Sequence, residues 1–259
     1  MFRHAIDRDP EFALAWASYA DCYSLEVMYA MAEPRFKTEA RKASDRALEL
    51  APDLAEAHAS AGLARLVNED FAAAELRFKK AIELNPISFE AYYYFARTRF
   101  HEGDMVEAAR LFARAAELNP QDYQSRLLRV QILRGAGQLD EAREEARQAI
   151  AVVEKHLEFH PDDVRALHLG VGSLIVLGEV DKAIQWLRRG LEIDSNDPIS
   201  HYNAACNYAT LNKPDESLKH LERAAALGTI SEDWMRNDAD LDSLRSHPRF
   251  ATVLRSVST

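Results

Sequence analysis

Apolar and small residues recur along this chain at helical spacing, and the pattern itself repeats. Ala40, Ala74, Ala108, Ala142, Ala183 and Ser217 each follow a polar turn, at intervals of 34, 34, 34, 41 and 34 residues. A second small residue stands seven positions after each, at Ala47, Ala81, Ala115, Ala149, Gly190 and Ala224. Residues seven apart share one helix face, and small side chains there admit a neighbouring helix at close range. Gly103, Gly137 and Gly178 precede their landmarks by five residues, where a helix C-terminus needs a left-handed residue. Leu-Ala-Pro at 50–52 and Leu-Asn-Pro at 84–86 and 118–120 end the following helix, because proline cannot continue it. Each period therefore predicts one helical hairpin, closed by a proline turn.

These residues carry a resemblance. Phe78-x-x-Ala81-Ile-Glu-Leu-Asn-Pro86 and Phe112-x-x-Ala115-Ala-Glu-Leu-Asn-Pro120 resemble the tetratricopeptide repeat, as does Trp16-x-x-Tyr19-Ala20-x-x-Tyr23 in a first helix. The resemblance implies an all-α fold: a right-handed superhelical solenoid of hairpins with a concave groove, and a capping helical segment at its C-terminal end. Its units fall at about 11–52, 53–86, 87–120, 121–161, 162–195 and 196–228. Residues 1–10 precede them as a truncated second helix, and 229–259 follow as the cap. Phe2, Ala5 and Pro10 match Phe78, Ala81 and Pro86 with no first helix before them. Either the chain is cut from a longer protein or its N-terminal helix packs on something else, and the truncated N-terminal end offers a face for self-association.

The family's groove positions, carried over residue by residue, are Leu14, Ala17 and Asp21, then Glu56, Ala59 and Leu63, then Glu90, Tyr93, Arg97, Phe100 and His101. Farther along they are Gln124, Leu127, Gln131 and Arg134, then Arg165, His168, Gly172 and Ile175, and finally Ile199, Tyr202 and Cys206. Members that hold chaperone carboxylates use basic and amide side chains at places occupied here by Ala17, Asp21, Ser60, Glu90 and Tyr94, so that clamp is absent. Leu63, Tyr93, Arg97, Phe100, His101, Gln131, Arg134, His168 and Tyr202 are expected to carry partner binding. The partner implied is a protein or peptide, an extended segment or a helix. The opening FRHAIDRDPEFALAWASYADCY and the closing LDSLRSHPRFATVL also resemble repeat segments attached to bacterial signalling proteins. The alternative function is therefore a regulatory or sensory C-terminal part of a signalling enzyme or transcription regulator.

Composition agrees with this picture and removes other classes. Among 259 residues are 42 alanines but nine glycines and nine prolines, which favours helix throughout. The formal charge of −10 is spread along the chain without a basic face, so nucleic acid is not an expected partner. The N-terminus lacks an apolar signal core, and the longest uncharged stretch, 198–212, is too short for a membrane span, which predicts a cytoplasmic protein. Cys22 and Cys206 are too few for a disulfide framework and are expected to pack as small apolar side chains.

Departures from the repeat locate further candidates. Eight extra residues in the first unit, around EVMYAMAEPRF, place Val27, Met28, Tyr29 and Met31 where a polar turn would stand. They are expected to extend the first helix over the core, with Met28 and Tyr29 as accessory contacts. Seven added residues in the fourth unit lengthen its second helix to about twenty, close to two turns. Arg126 and Arg129 occupy places where the family sets large apolar residues, and they need acidic partners or an anionic ligand.

Catalytic and metal chemistry finds no support in the spacing. His156 and His160 lack the HExxH order, and Asp238, Asp240 and Asp242 lack the glycine and glutamate of a calcium loop. Gly170 and Gly172 read as close helix packing. The expectation is a non-catalytic chain with no cofactor and no metal.

Overall fold

The computed structural model describes residues 1–30, 33–228, 230 and 232–257, and every regular element among them is helical. Met31, in the first unit's insertion, lies outside the described residues, as does the side chain of Trp234. The chain divides into two compact bodies, Met1–Pro120 and Gln121–Thr259.

The first body contains α1 (Phe2–Arg8), α2 (Ala13–Ala30), α3 (Pro34–Leu50), α4 (Ala55–Leu66), α5 (Phe71–Leu84), α6 (Phe89–His101) and α7 (Met105–Leu118). Helices α2 and α3, α4 and α5, and α6 and α7 pair as hairpins, while α2, α4 and α6 lie side by side as a wall of first helices. The short α1 packs on α2 and buries Ile6. The landmark alanines Ala40, Ala74 and Ala108 are fully buried, together with Ala47, Ala81 and Ala115. Between them Phe78 fills the space left by Gly62, where an added Cβ would stand 2.6 Å from the ring.

The second body contains α8 (Tyr123–Gly135), α9 (Leu139–Phe159), α10 (Val164–Leu177), α11 (Val180–Ile193), α12 (Pro198–Thr210), α13 (Pro214–Leu227), α14 (Glu232–Asn237), a 3-10 turn at Ala239–Leu244 and α15 (Pro248–Val257). Hairpins form again between α8 and α9, α10 and α11, and α12 and α13. The lengthened α9 has 21 residues and keeps its inner face, burying Ala142, Ala146, Ala149, Ile150, Val153 and Leu157. Gly170 closes against Trp186, where a Cβ would stand 2.4 Å from the indole; Gly172 has open space at its Cβ position, so close packing explains only the first of the pair. After α13 the chain turns back, and Met235, Leu241, Leu244, Phe250, Val253 and Leu254 join Tyr202, Leu218 and Leu221 in one core.

Local chemistry explains where the helices start and stop. Asp70, Ser88, Asp104, Asp122, Asp163 and Asp197 accept N-cap hydrogen bonds from the backbone N–H three residues on. Each such cap contributes about 1 kcal/mol. The left-handed turn inside the hairpin falls on Gly103, Gly137 and Gly178, and at the equivalent places on Glu69 and Asn212, with φ of 63° and 56°. Asparagine tolerates that conformation, whereas glutamate is strained in it.

Candidate functional site

The wall of α2, α4 and α6 carries a cavity of about 410 Å³. Leu14, Ala17, Ser18, Asp21 and Leu25 line it from α2; Glu56, Ala59, Ser60 and Leu63 from α4; Ser88, Glu90 and Tyr94 from α6 and its N-cap. Seven of these are positions carried over from the family's groove: Leu14, Ala17, Asp21, Glu56, Ala59, Leu63 and Glu90. Ser18 and Leu25 escaped that reading, although each stands four residues after a groove position on the same helix face. The repeat-family pattern counts fewer groove places per helix than a cavity wall needs.

Depth sorts the lining by chemistry. Leu63, 1% exposed, and the buried Ala17 and Ala59 form an apolar floor, while Glu56 and Glu90 stand exposed at the mouth. Asp21 lies between. Loss of water pushes its carboxyl up to about 6, the Ser60 hydroxyl donates a hydrogen bond that opposes this, and the charge of Glu90 adds to the rise. Burial likewise raises the Tyr94 phenol, with Tyr29, Tyr93 and Asp21 adding to the shift. Among the described residues no lysine or arginine lines the cavity.

One turn beyond Leu25 on α2 and beyond Tyr94 on α6, the two outer helices of the wall are joined. Arg97 donates to the Tyr29 hydroxyl at 3.1 Å, and its guanidinium carbon lies 5.7 Å from the Tyr29 ring centroid. The insertion thus lengthens α2 to 18 residues and brings Tyr29 across to a groove residue of α6. Met28 beside it is half-buried.

Other expected groove residues fare differently. Tyr93 is buried against Phe89, Tyr94 and Phe112, so it belongs to the core. Phe100 meets His101 edge-on, and His101 stacks on Phe71 at 5.9 Å with one side open to solvent. Gln131 is exposed on α8. His168 is buried under α11, its ring filling the space beside Gly190. Tyr202, 2% exposed, donates to Asp238 at 2.7 Å, and Arg134 pairs with Asp240 at 3.1 Å. The groove expectation is therefore corrected for Tyr93, His168 and Tyr202: hairpin packing or the returning tail covers each. Cys206 is buried beside Asp238, but Cys22 is exposed, which corrects the expectation that both cysteines pack inside.

Arg126 and Arg129 converge on Glu145 of α9, which is buried, with Gln148 also accepting from Arg126 at 2.9 Å. Both guanidiniums thus share one acidic partner inside the fold, a carboxylate of the neighbouring helix. His156 bonds Asp163 at 2.8 Å and rests against His160, and the described residues contain no cluster able to hold a metal.

The tetratricopeptide repeat family model matches residues 60–123 and 127–198, more than half of the chain. The chain belongs to the tetratricopeptide repeat family. Its fold is accordingly the all-α repeat solenoid of that family. Among solved structures it is similar to the APC/C hetero-tetramer Cut9-Hcn1, at TM-score 0.66 and 17% identity over 100% of this chain and 45% of that one. A tetratricopeptide repeat protein from Parabacteroides merdae matches at TM-score 0.58 and 12% identity, over 100% of this chain and 90% of that one. PilW, a type IV pilus biogenesis factor, matches at 0.55 and 20%, over 74% and 82%. This chain spans less than half the length of the first of these. Curated proteins yield no match by sequence. No described helix is long and apolar enough to cross a membrane.

Proposed function

We propose that this chain is a protein-interaction module that receives a segment of another protein on the first-helix wall of its N-terminal body. The observation that carries this reading is the cavity of about 410 Å³ on α2, α4 and α6, built from side chains that the repeat presents in common. Pockets of this size, with an apolar floor and a few polar groups, suit recognition of side chains. The APC/C hetero-tetramer Cut9-Hcn1 is itself an assembly of polypeptides and shares the fold, which is consistent with the reading.

Site-specific photocrosslinking tests it. A benzoylphenylalanine at Leu14 or Glu56, on the cavity, is expected to capture a polypeptide from an extract of the source organism. The same group at Leu76 or Val106, exposed on the second helices, is expected to capture none. Equal capture from both sets of positions would remove the first-helix wall as the interaction surface.

A further inference from the structure

The cavity of the first body selects for charge. Its mouth holds Glu56 and Glu90, Asp21 stands deeper, and Tyr94 and Ser60 complete the polar lining. No described cation forms an ion pair with any of these three carboxylates. Arg97, one turn beyond Tyr94, is committed to the Tyr29 hydroxyl and ring. Like charges gathered around one partly desolvated cavity repel each other; burial is the main cause that raises the Asp21 carboxyl, and the charge of Glu90 adds to it. An incoming cation relieves this repulsion; a neutral group leaves it, and an anion worsens it.

The floor adds a second requirement. Ala17, Ala59 and Leu63 offer apolar surface below the carboxylates, as the aliphatic stem of a long basic side chain demands. The Tyr94 ring can add a cation–π contact. At about 410 Å³ the cavity lies near the lower end of the roughly 300–1,000 Å³ range of ligand pockets, fitting one side chain with adjoining backbone.

Resting on the interaction reading above, we infer that this cavity is a recognition pocket for one lysine or arginine side chain on an extended segment of a partner protein. The stem lies on Ala17, Ala59 and Leu63, and the charged head sits among Asp21, Glu56 and Glu90. The groove is thereby an acidic reader of basic segments.

The test uses the full chain and mixtures of nine-residue peptides randomised everywhere except the centre, which is fixed as arginine, citrulline, norleucine or glutamate. Binding is followed by amide chemical shifts of residues 17–25 and 59–63. The arginine mixture is expected to bind at least tenfold more tightly than the citrulline mixture, which has nearly the same shape without the charge. Glu90→Gln, at the exposed mouth, and Asp21→Asn are each expected to weaken the arginine mixture at least threefold while leaving other amide positions unchanged. Equal binding of arginine and citrulline mixtures, or unchanged binding by both variants, would overturn the proposal. Agmatine binding as tightly as the arginine mixture would overturn the protein segment as its source. Shifts from no mixture would also overturn it, while crosslinking confined to the cavity would still support the broader interaction reading.

Discussion

Groove positions of the repeat meet opposite fates in the two bodies. Asp21, in the first, opens into a cavity, whereas Tyr202, at a groove position of the second, is sealed beneath the chain's own tail. In the second body Asp238 accepts from Tyr202 and Asp240 pairs with Arg134, while Leu241 and Leu244 pack into the core beside α12. The tail supplies to that wall acidic groups and apolar anchors of its own. Among the described residues the first body has no such segment on its wall, and no ion pair forms there with Asp21, Glu56 or Glu90. A repeat determines which side chains point to one face; what lies over that face determines whether it is a site.

The sharpest way to break this contrast acts on the second body's internal pairing. Glu145→Ala leaves Arg126 and Arg129 without their carboxylate, and losing one partner of a buried ionic group costs about 3–5 kcal/mol. Chemical denaturation is expected to show a loss of that size, and replacing both arginines by methionine in the same background is expected to recover much of it. Leu241→Ala follows, at roughly 2–5 kcal/mol for a buried leucine by which the tail is anchored. Hydrogen exchange is expected to rise in α12 and α13 and to stay unchanged in α4 and α6. Equal loss of protection in both sets of helices would show that the bodies unfold as one.

Acid acts with opposite sign on two histidines of the second body and on one aspartate of the first. Burial holds His168 and His220 down at about 4, below the ordinary histidine value of 6.5, so the unfolded chain takes up protons first as pH falls. The stability these histidines contribute is present above pH 6.5 and is lost as pH falls toward 4. Asp21 behaves in reverse, because its folded value of about 6 exceeds the ordinary 3.8. Its contribution is full below 3.8 and is lost as pH rises through 6. His168→Gln is expected to remove about 2 kcal/mol of the destabilisation between pH 7 and 5, on the scale of 1.4 kcal/mol for each unit. Asp21→Asn is expected to stabilise the first body by about 2 kcal/mol at pH 8 and by almost nothing at pH 4. Thermal melts of each variant across this range check both signs.

The smallest effect concerns the turns. Glu69→Gly relieves a positive φ at an exposed turn and is expected to stabilise by roughly 1 kcal/mol, after loss of its surface pair with Lys37. Asn212→Gly is expected to change stability by less. Denaturation midpoints that ranked the two the other way would show that the Lys37 pair, and not the backbone, sets the balance.

Much of this was legible in the sequence, and particular residues show why. Ala40, Ala74 and Ala108 announced close helix contacts because no larger side chain fits there, and Gly103, Gly137 and Gly178 announced left-handed turns. Glu69 and Asn212 occupy the same turn without the glycine, so only the register of the neighbouring repeats pointed to them. The cavity was partly readable: Leu14, Asp21, Glu56 and Glu90 follow from repeat position, and Ser18 and Leu25 from helical spacing. The contact between Tyr29 and Arg97 was not, because it joins residues 68 positions apart and depends on the length of α2. Tyr93 was misplaced for a related reason. Neighbouring positions on a helix share a wall, and only packing against Phe112 shows that Tyr93 faces inward while Tyr94 faces the cavity.

By itself, then, the sequence determined the hairpins, their caps, their turns and the set of residues that each first helix offers to a wall, since all of these depend on neighbours within a few positions. Only the tertiary structure decided which offers remain open. Arg134 meets an acidic residue 106 positions away, Arg126 and Arg129 find theirs on the next helix, and Asp21 forms no ion pair with a cation among the described residues. Exposure is a property of everything that packs over a residue, and here the chain's own return over the second body covers Tyr202, while in the first body Asp21 remains on the wall of a cavity.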